Sequence, residues 1–254
     1  MKNKKGAILM GREKTKKKHK RSASSWDWLF WLIAVAVSLI ICIAVYESHN
    51  NTSSPKQVQQ AATTQQPNSD INSVQQRSNK YTSPPKMSIN TGKQYSAVVT
   101  TDLGTFKIKL LSKDAPVTVN NFVFLANDGF YNGITFHRII KDFMIQTGDP
   151  LGNGTGGPGY KFNDELPSKL SYAPGIVAMA NSGSNTNGSQ FFICTGEQAS
   201  GLNNNPNYTV FGQVVDGIDV VLKIANTPVQ ANSMGESSKP TESISIDKIT
   251  IEEQ

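Results

Sequence analysis

Cysteine is nearly absent from this chain: Cys42 and Cys194 are the two in 254 residues. That excludes a small fold stapled by disulfides and any C-x-x-C metal or redox motif. Histidine is almost as scarce, with three in all and His137 alone beyond position 49, so a zinc site built on several histidines is excluded and no metal is expected. No G-x-S-x-G elbow accompanies His137, which removes the usual frame for a Ser/His/Asp hydrolase. Tryptophan is confined to positions 26, 28 and 31, and no internal repeat is visible.

Charge is plentiful but uneven. The chain carries +6, from 25 Lys and Arg against 19 Asp and Glu, which as one number would suggest a nucleic-acid partner. Residues 1–25 hold ten basic side chains and one Glu, residues 47–94 carry +3, and residues 95–254 carry −5. No single body bears the positive charge, so nucleic acid is not expected as a partner.

The order of the segments gives the charge its use. A basic head, residues 1–27, precedes Trp28 to Tyr46, nineteen residues without a charge. A helix of that length spans ~30 Å of hydrocarbon at ~1.5 Å per residue. The pattern predicts a single-pass signal anchor over 28–46 in the cell membrane. The positive-inside rule puts the head in the cytoplasm and the C-terminal domain outside it, with Trp26, Trp28 and Trp31 at one interface and Tyr46 at the other. A cleaved signal peptide is disfavoured because the apolar run exceeds the usual ~7–15 residues and no A-x-A-like site follows. Leu39-Ile40-Ile41-Cys42 lacks the small residue that a lipidated cysteine requires before it. Residues 47–94 contain 27 Ser, Thr, Asn or Gln in 48 positions and four prolines. Such a segment buries too little apolar surface to offset its ordering entropy, so it reads as a disordered linker.

Residues 95–254 read as one globular domain, long enough to bury ~70% of the surface of its unfolded chain. Strand signals run over 95–101 and 105–111, where Phe106, Ile108 and Leu110 alternate with Lys107 and Lys109. Pro116 opens a helical stretch that Gly129 ends. Short strands follow at 134–140, 143–147, 176–180, 190–194 and 209–215; a second helix begins at Asp216, and SISIDKITIEE closes the chain as a strand. Many short strands with two helices predict a mostly-β antiparallel barrel or sandwich.

The G-N-G-T-G-G of residues 152–157 matches the dinucleotide pattern G-x-G-x-x-G, but Pro158 and Gly159 forbid the helix that must follow. A flexible surface loop is expected there, with Asp149, Asp164 and Glu165 solvated. The informative stretches are F-H-R-I-I-K-D-F-M-I-Q-T-G-D at 136–149 and A-M-A-N-S-G-S-N-T-N-G-S-Q-F-F-I-C at 178–194, with F-G-Q-V at 211–214 and D-G-I-D-V-V at 216–221. Through them residues 95–254 resemble the cyclophilin family of peptidyl-prolyl cis/trans isomerases. The resemblance implies a closed eight-stranded antiparallel barrel capped by two helices, here a bacterial, membrane-anchored member.

It also implies a site. Arg138 matches the family's catalytic arginine and Gln146 the glutamine beside it; Phe143, Met144, Phe192 and Leu202 match an apolar pocket. Ala180 and Asn181 match residues that pair with substrate backbone, and Gln190 matches a further polar contact. Tyr208 stands where many members have histidine, and Gly201 where many have a tryptophan beside the pocket leucine, which puts tight cyclosporin binding in doubt. His137 reads as structural, on the strand face opposite Arg138.

The residue types suit the reaction. An X-Pro bond crosses ~18–20 kcal/mol and isomerises in tens to hundreds of seconds unaided. No covalent bond breaks, so neither nucleophile nor cofactor is needed. A guanidinium donating to the pyramidal prolyl nitrogen of the twisted amide favours that geometry over the planar ground state. The expected function is therefore isomerase action on proline-containing polypeptide clients, secreted or surface proteins, by a monomeric domain. The rival expectation is a non-catalytic proline-peptide-binding adhesin or scaffold, supported by the altered 197–208 stretch.

Overall fold

Alternation of apolar and polar side chains sets the first hairpin. In the computed structural model, which describes residues 73–254, β1 (Tyr95–Thr101) buries every second residue and pairs antiparallel with β2 (Gly104–Leu110). The basic head, the apolar segment 28–46 and residues 47–72 of the linker lie outside the described residues. Among the described residues no helix is long and apolar enough to cross a membrane.

Helix α1 (Pro116–Asn127) follows, with proline in its first turn and the otherwise unpaired N–H groups of Val117 and Thr118 donating to the Glu165 carboxylate at 3.0 and 2.8 Å. Glu165 is therefore a cap rather than a solvated loop acid. Strands β3 (Arg138–Ile140), β4 (Met144–Thr147), β5 (Ile176–Met179) and β6 (Phe191–Cys194) come next. A 3-10 helix (Glu197–Asn204) then leads to β7 (Val210–Asp216) and α2 (Ile218–Ala225). Helix α2 starts after Gly217 rather than at Asp216. A Cβ at Gly217 would meet the Thr105 carbonyl oxygen at 2.5 Å, and its φ of 72° suits glycine. The hairpin β8 (Val229–Ala231) and β9 (Ser237–Pro240) precedes β10 (Ile246–Glu253).

Eight strands form one curled sheet in the order β10-β1-β2-β7-β5-β6-β4-β3. Inside the curl lie Phe106, Phe122, Tyr131, Phe191 and Phe211, all buried, with Phe122 of α1 packed 5.5 Å edge-on against Phe191. The mostly-β fold and the two helices match expectation; the closed barrel does not. β3 and β10 are edge strands, joined by one isolated bridge, Thr135 to Ser245, and three backbone hydrogen bonds between residues 133–136 and 244–246. The ladder stays open because β3 is three residues long and the chain before it is irregular. The β8–β9 hairpin, absent from the sequence reading, lies beside β3 and covers that edge.

Residues 73–94, assigned to the linker on composition, form an ordered strap on the domain. The Arg77 guanidinium donates to the carbonyls of Gly129, Phe130 and Asn132 at 3.1, 2.8 and 2.5 Å. The Tyr81 ring packs against Phe124, Phe130 and Tyr160, and its hydroxyl donates to Asp128 at 2.6 Å. Asn120 accepts from the backbone of Ser88 and Ile89. These few anchors bind a segment whose average composition reads as disordered.

Candidate active site

The site is built on the outer face of four strands by the same alternation that fills the inside. Ile139, Ile145, Val177, Phe191 and Ile193 face the interior, while Met144, Ala178, Phe192 and Cys194 belong to a second apolar cluster. Phe143, Ala180, Leu202 and Tyr208 pack against that second cluster. Phe192 lies in this second cluster, with the Tyr208 ring edge-on at 5.4 Å.

Leu202 and Tyr208 arrive there through the altered loop. The 3-10 helix carries Leu202, and Asn203 bonds the Tyr172 backbone at both N–H and carbonyl, 2.9 and 3.0 Å. The buried Tyr172 hydroxyl donates to the Tyr208 carbonyl at 2.6 Å and accepts from its N–H at 3.0 Å. Tyr172 and Asn203 thus tie this stretch down by hydrogen bonds. Neither role is legible in the sequence, because their partners lie ~30 positions away.

Arg138 stands across the β3–β4 ladder from Gln146. Gln146 does not bond the guanidinium; its amide donates to Gln190 at 2.9 Å. Gln190 in turn donates to the carbonyls of Gly154 and Gly156 at 3.1 and 2.9 Å. Arg138 is instead gripped by Glu236, in the β8–β9 turn, which accepts from Nε at 2.8 Å and Nη2 at 2.7 Å. The guanidinium holds the Glu236 carboxyl at about 2, well below the usual glutamate value. Nη1 points to Met144 Sδ at 3.7 Å, the edge of the apolar cluster.

The Gly-rich loop is pinned, contrary to the flexible loop expected. Asp149, 1% exposed, accepts N–H bonds from Leu151, Asn153 and Gly154 at 2.7, 3.1 and 2.6 Å. Gly156 passes so close that a Cβ there would lie 2.0 Å from Asp149 Oδ1. Asp164 is tied as well, accepting from the Asn185 N–H and the Asn187 amide at 2.7 and 2.8 Å. The pinned loop walls a cleft of about 810 Å³ whose other sides include Asn79 of the strap, Gln146, Ala180, Asn181 and Gln190. Ala180 N–H donates to the Gln190 carbonyl at 2.9 Å, and the Asn181 amide donates to the Asn207 carbonyl at 2.9 Å. A second cleft of about 440 Å³ lies on the far side of Gln146, lined by His137, Arg138 and the hairpin tip. Burial lowers the His137 pKa, and neither ring nitrogen has a hydrogen-bond partner among the described residues.

Arg138 thus borders an apolar cluster with side-chain amides nearby, a combination chemically suited to an apolar ring next to a polarisable amide. Among the described residues no group of three His, Cys, Asp or Glu could hold a metal ion.

Comparison with known proteins identifies the family. Residues 96–251 match the family model described as cyclophilin type peptidyl-prolyl cis-trans isomerase/CLD. The chain is 49% identical over 160 residues to peptidylprolyl isomerase domain and WD repeat-containing protein 1 of Mus musculus, covering 61% of this chain and 24% of that protein. It is 44% identical over 155 residues to peptidyl-prolyl cis-trans isomerase-like 3 of Gallus gallus, covering 59% of this chain and 92% of that one. A crystal structure of a Cryptosporidium parvum cyclophilin-type isomerase in the presence of the dipeptide Ala-Pro superimposes with a TM-score of 0.56 at 36% identity, covering 62% of this chain and 98% of that one. The match to the family model spans more than half of the chain, and the chain belongs to the cyclophilin-type peptidyl-prolyl cis-trans isomerase family.

Proposed function

We propose that this chain is a peptidyl-prolyl cis/trans isomerase, held at the cell membrane by residues 28–46, that accelerates proline-limited folding of secreted or surface proteins. The observation that carries the enzymatic reading is the direction of Arg138 Nη1, aimed at Met144 on the rim of the socket formed with Phe143, Phe192, Leu202 and Tyr208. A prolyl ring seated in that socket brings its nitrogen under the guanidinium. Twisting the amide returns the lone pair to nitrogen, and the N–H of Arg138 stabilises it there but not in the planar ground state. The apolar walls hold the ring while the preceding carbonyl swings. Gln146, Gln190, Ala180 and Asn181 line the adjoining cleft, where the residues before proline would lie. The Cryptosporidium parvum structure was obtained in the presence of Ala-Pro, a dipeptide of this chemical class.

The non-catalytic binder is less well supported, since the 197–208 stretch that favoured it delivers Leu202 and Tyr208 to the socket. The extracytoplasmic placement rests on the +9 of residues 1–25 ahead of the apolar run, and protease accessibility on intact cells tests it. The isomerase reading is tested with the full chain in detergent by exchange spectroscopy on an X-Pro peptide. Activity should fall about a hundredfold or more in Arg138→Ala. A wild-type chain with no activity, or an equally active variant, refutes it.

A further inference from the structure

Glu236 is the residue that holds Arg138, and the way it does so is specific. A guanidinium has five N–H donors in a fixed fork. Glu236 takes one from Nε and one from Nη2, and leaves both hydrogens of Nη1, the nitrogen that faces Met144. The carboxylate is itself held: the Asn232 amide donates to Glu236 Oε2 at 3.4 Å and to the buried Ser238 hydroxyl at 3.2 Å. The backbone beneath it is fixed too, the Glu236 N–H donating to Asn232 Oδ1 at 3.0 Å and the Glu236 carbonyl accepting from the Asn232 N–H at 2.8 Å. The hairpin that carries this turn lies beside β3, the strand of Arg138.

Two further observations give the contact its meaning. Gln146, which faces Arg138 across the ladder, spends its amide on Gln190 and leaves the guanidinium alone. The Arg138 side chain is 32% exposed, so without a partner its long stem would sample several rotamers. We infer that Glu236 is the positioning residue of Arg138, fixing Nε and Nη2 from behind so that Nη1 is presented to the prolyl amide. This inference rests on the isomerase reading above. The opposite role, a brake that keeps the guanidinium from substrate, would require the bidentate grip to cover the nitrogen facing the socket; it covers the other two.

The two roles predict opposite kinetics. Wild type, Glu236→Ala and Glu236→Gln would be compared as full chains in detergent, with kcat/KM from peptide exchange and peptide Kd from titration. Positioning predicts that E236A lowers kcat/KM about tenfold while Kd stays within about twofold, since the loss falls on the transition state. E236Q keeps one acceptor oxygen on the fork and should lose about threefold. Arginine-labelled chains give a second readout: the Arg138 Nε–H signal, assigned by its loss in Arg138→Lys, should be sharp and slowly exchanging in wild type and averaged in E236A. An E236A chain as active as wild type, or faster, overturns the inference alone. An inactive wild type overturns the isomerase reading and this inference with it. Should E236A fail to fold, E236Q carries the same kinetic test.

Discussion

Replacing Arg77 by alanine should loosen the strap and with it the whole domain. One nitrogen, Nη1, serves three carbonyls, of Gly129, Phe130 and Asn132, at 3.1, 2.8 and 2.5 Å. It has two hydrogens, so the three contacts amount to about two hydrogen bonds. Removing a charged donor from an acceptor that stays buried costs about 1–3 kcal/mol. Phe130 is fully buried, whereas Gly129 and Asn132 are partly exposed and can be rehydrated. The expected loss is therefore about 2 kcal/mol, most of it from the Phe130 carbonyl. For a domain of this size that is a fall in Tm of about 4–8 °C. All three tryptophans lie before residue 32, so the domain is followed by far-UV circular dichroism or calorimetry instead of tryptophan fluorescence. Arg77→Lys, which keeps the charge but not the planar fork, should fall between. A Tm for Arg77→Ala within 1 °C of wild type would refute the view that the strap belongs to the folded domain.

Gln190→Ala removes the acceptor of Gln146 and the donor to two loop carbonyls, so peptide KM should rise about fivefold with kcat within about twofold; a loss confined to kcat contradicts the cleft-wall role. The Glu236 pKa is lowered from 4.5 to about 2, so its pair with Arg138 stabilises the fold fully above pH 4.5 and is lost as pH falls from there towards 2. Acid unfolding of wild type and Glu236→Gln should accordingly converge below pH 2, and Glu236 should add no inflection to kcat/KM between pH 5 and 8. Burial pushes the Cys194 thiol up to about 12, so about one molecule in ten thousand is thiolate at pH 8. In a Cys42→Ser chain, thiol reagents should label Cys194 after denaturation but not before it.

Much of this molecule is legible along the chain because strands and sockets obey local rules. Period-two alternation marked the first hairpin and short apolar runs between turns marked the other strands of the curled sheet, while the contiguous motifs around Arg138 and Gln190 contained Phe143, Met144 and Phe192 of the apolar cluster but not Leu202 or Tyr208. What escaped was work done at long range. The strap was hidden because composition averages over 48 residues, while Arg77, Tyr81 and Ile89 are three anchors whose partners lie far along the chain. In sequence Asp149 is an ordinary loop acid, and only folding wraps the backbone of residues 151–154 around it.

By itself the sequence determined which strand faces are apolar, because side-chain chemistry and a two-residue period are properties of neighbours, and its contiguous motifs carried the family. Only the tertiary structure decided what holds Arg138. Glu236 lies 98 residues beyond Arg138, and no pattern in the chain pairs them. Only the structure, likewise, showed the sheet ending in two edges bridged by a few hydrogen bonds instead of a continuous ladder. Both follow from one physical fact: hydrogen-bond partners are selected by distance in space, and a chain of amino acids specifies that distance only after it has folded.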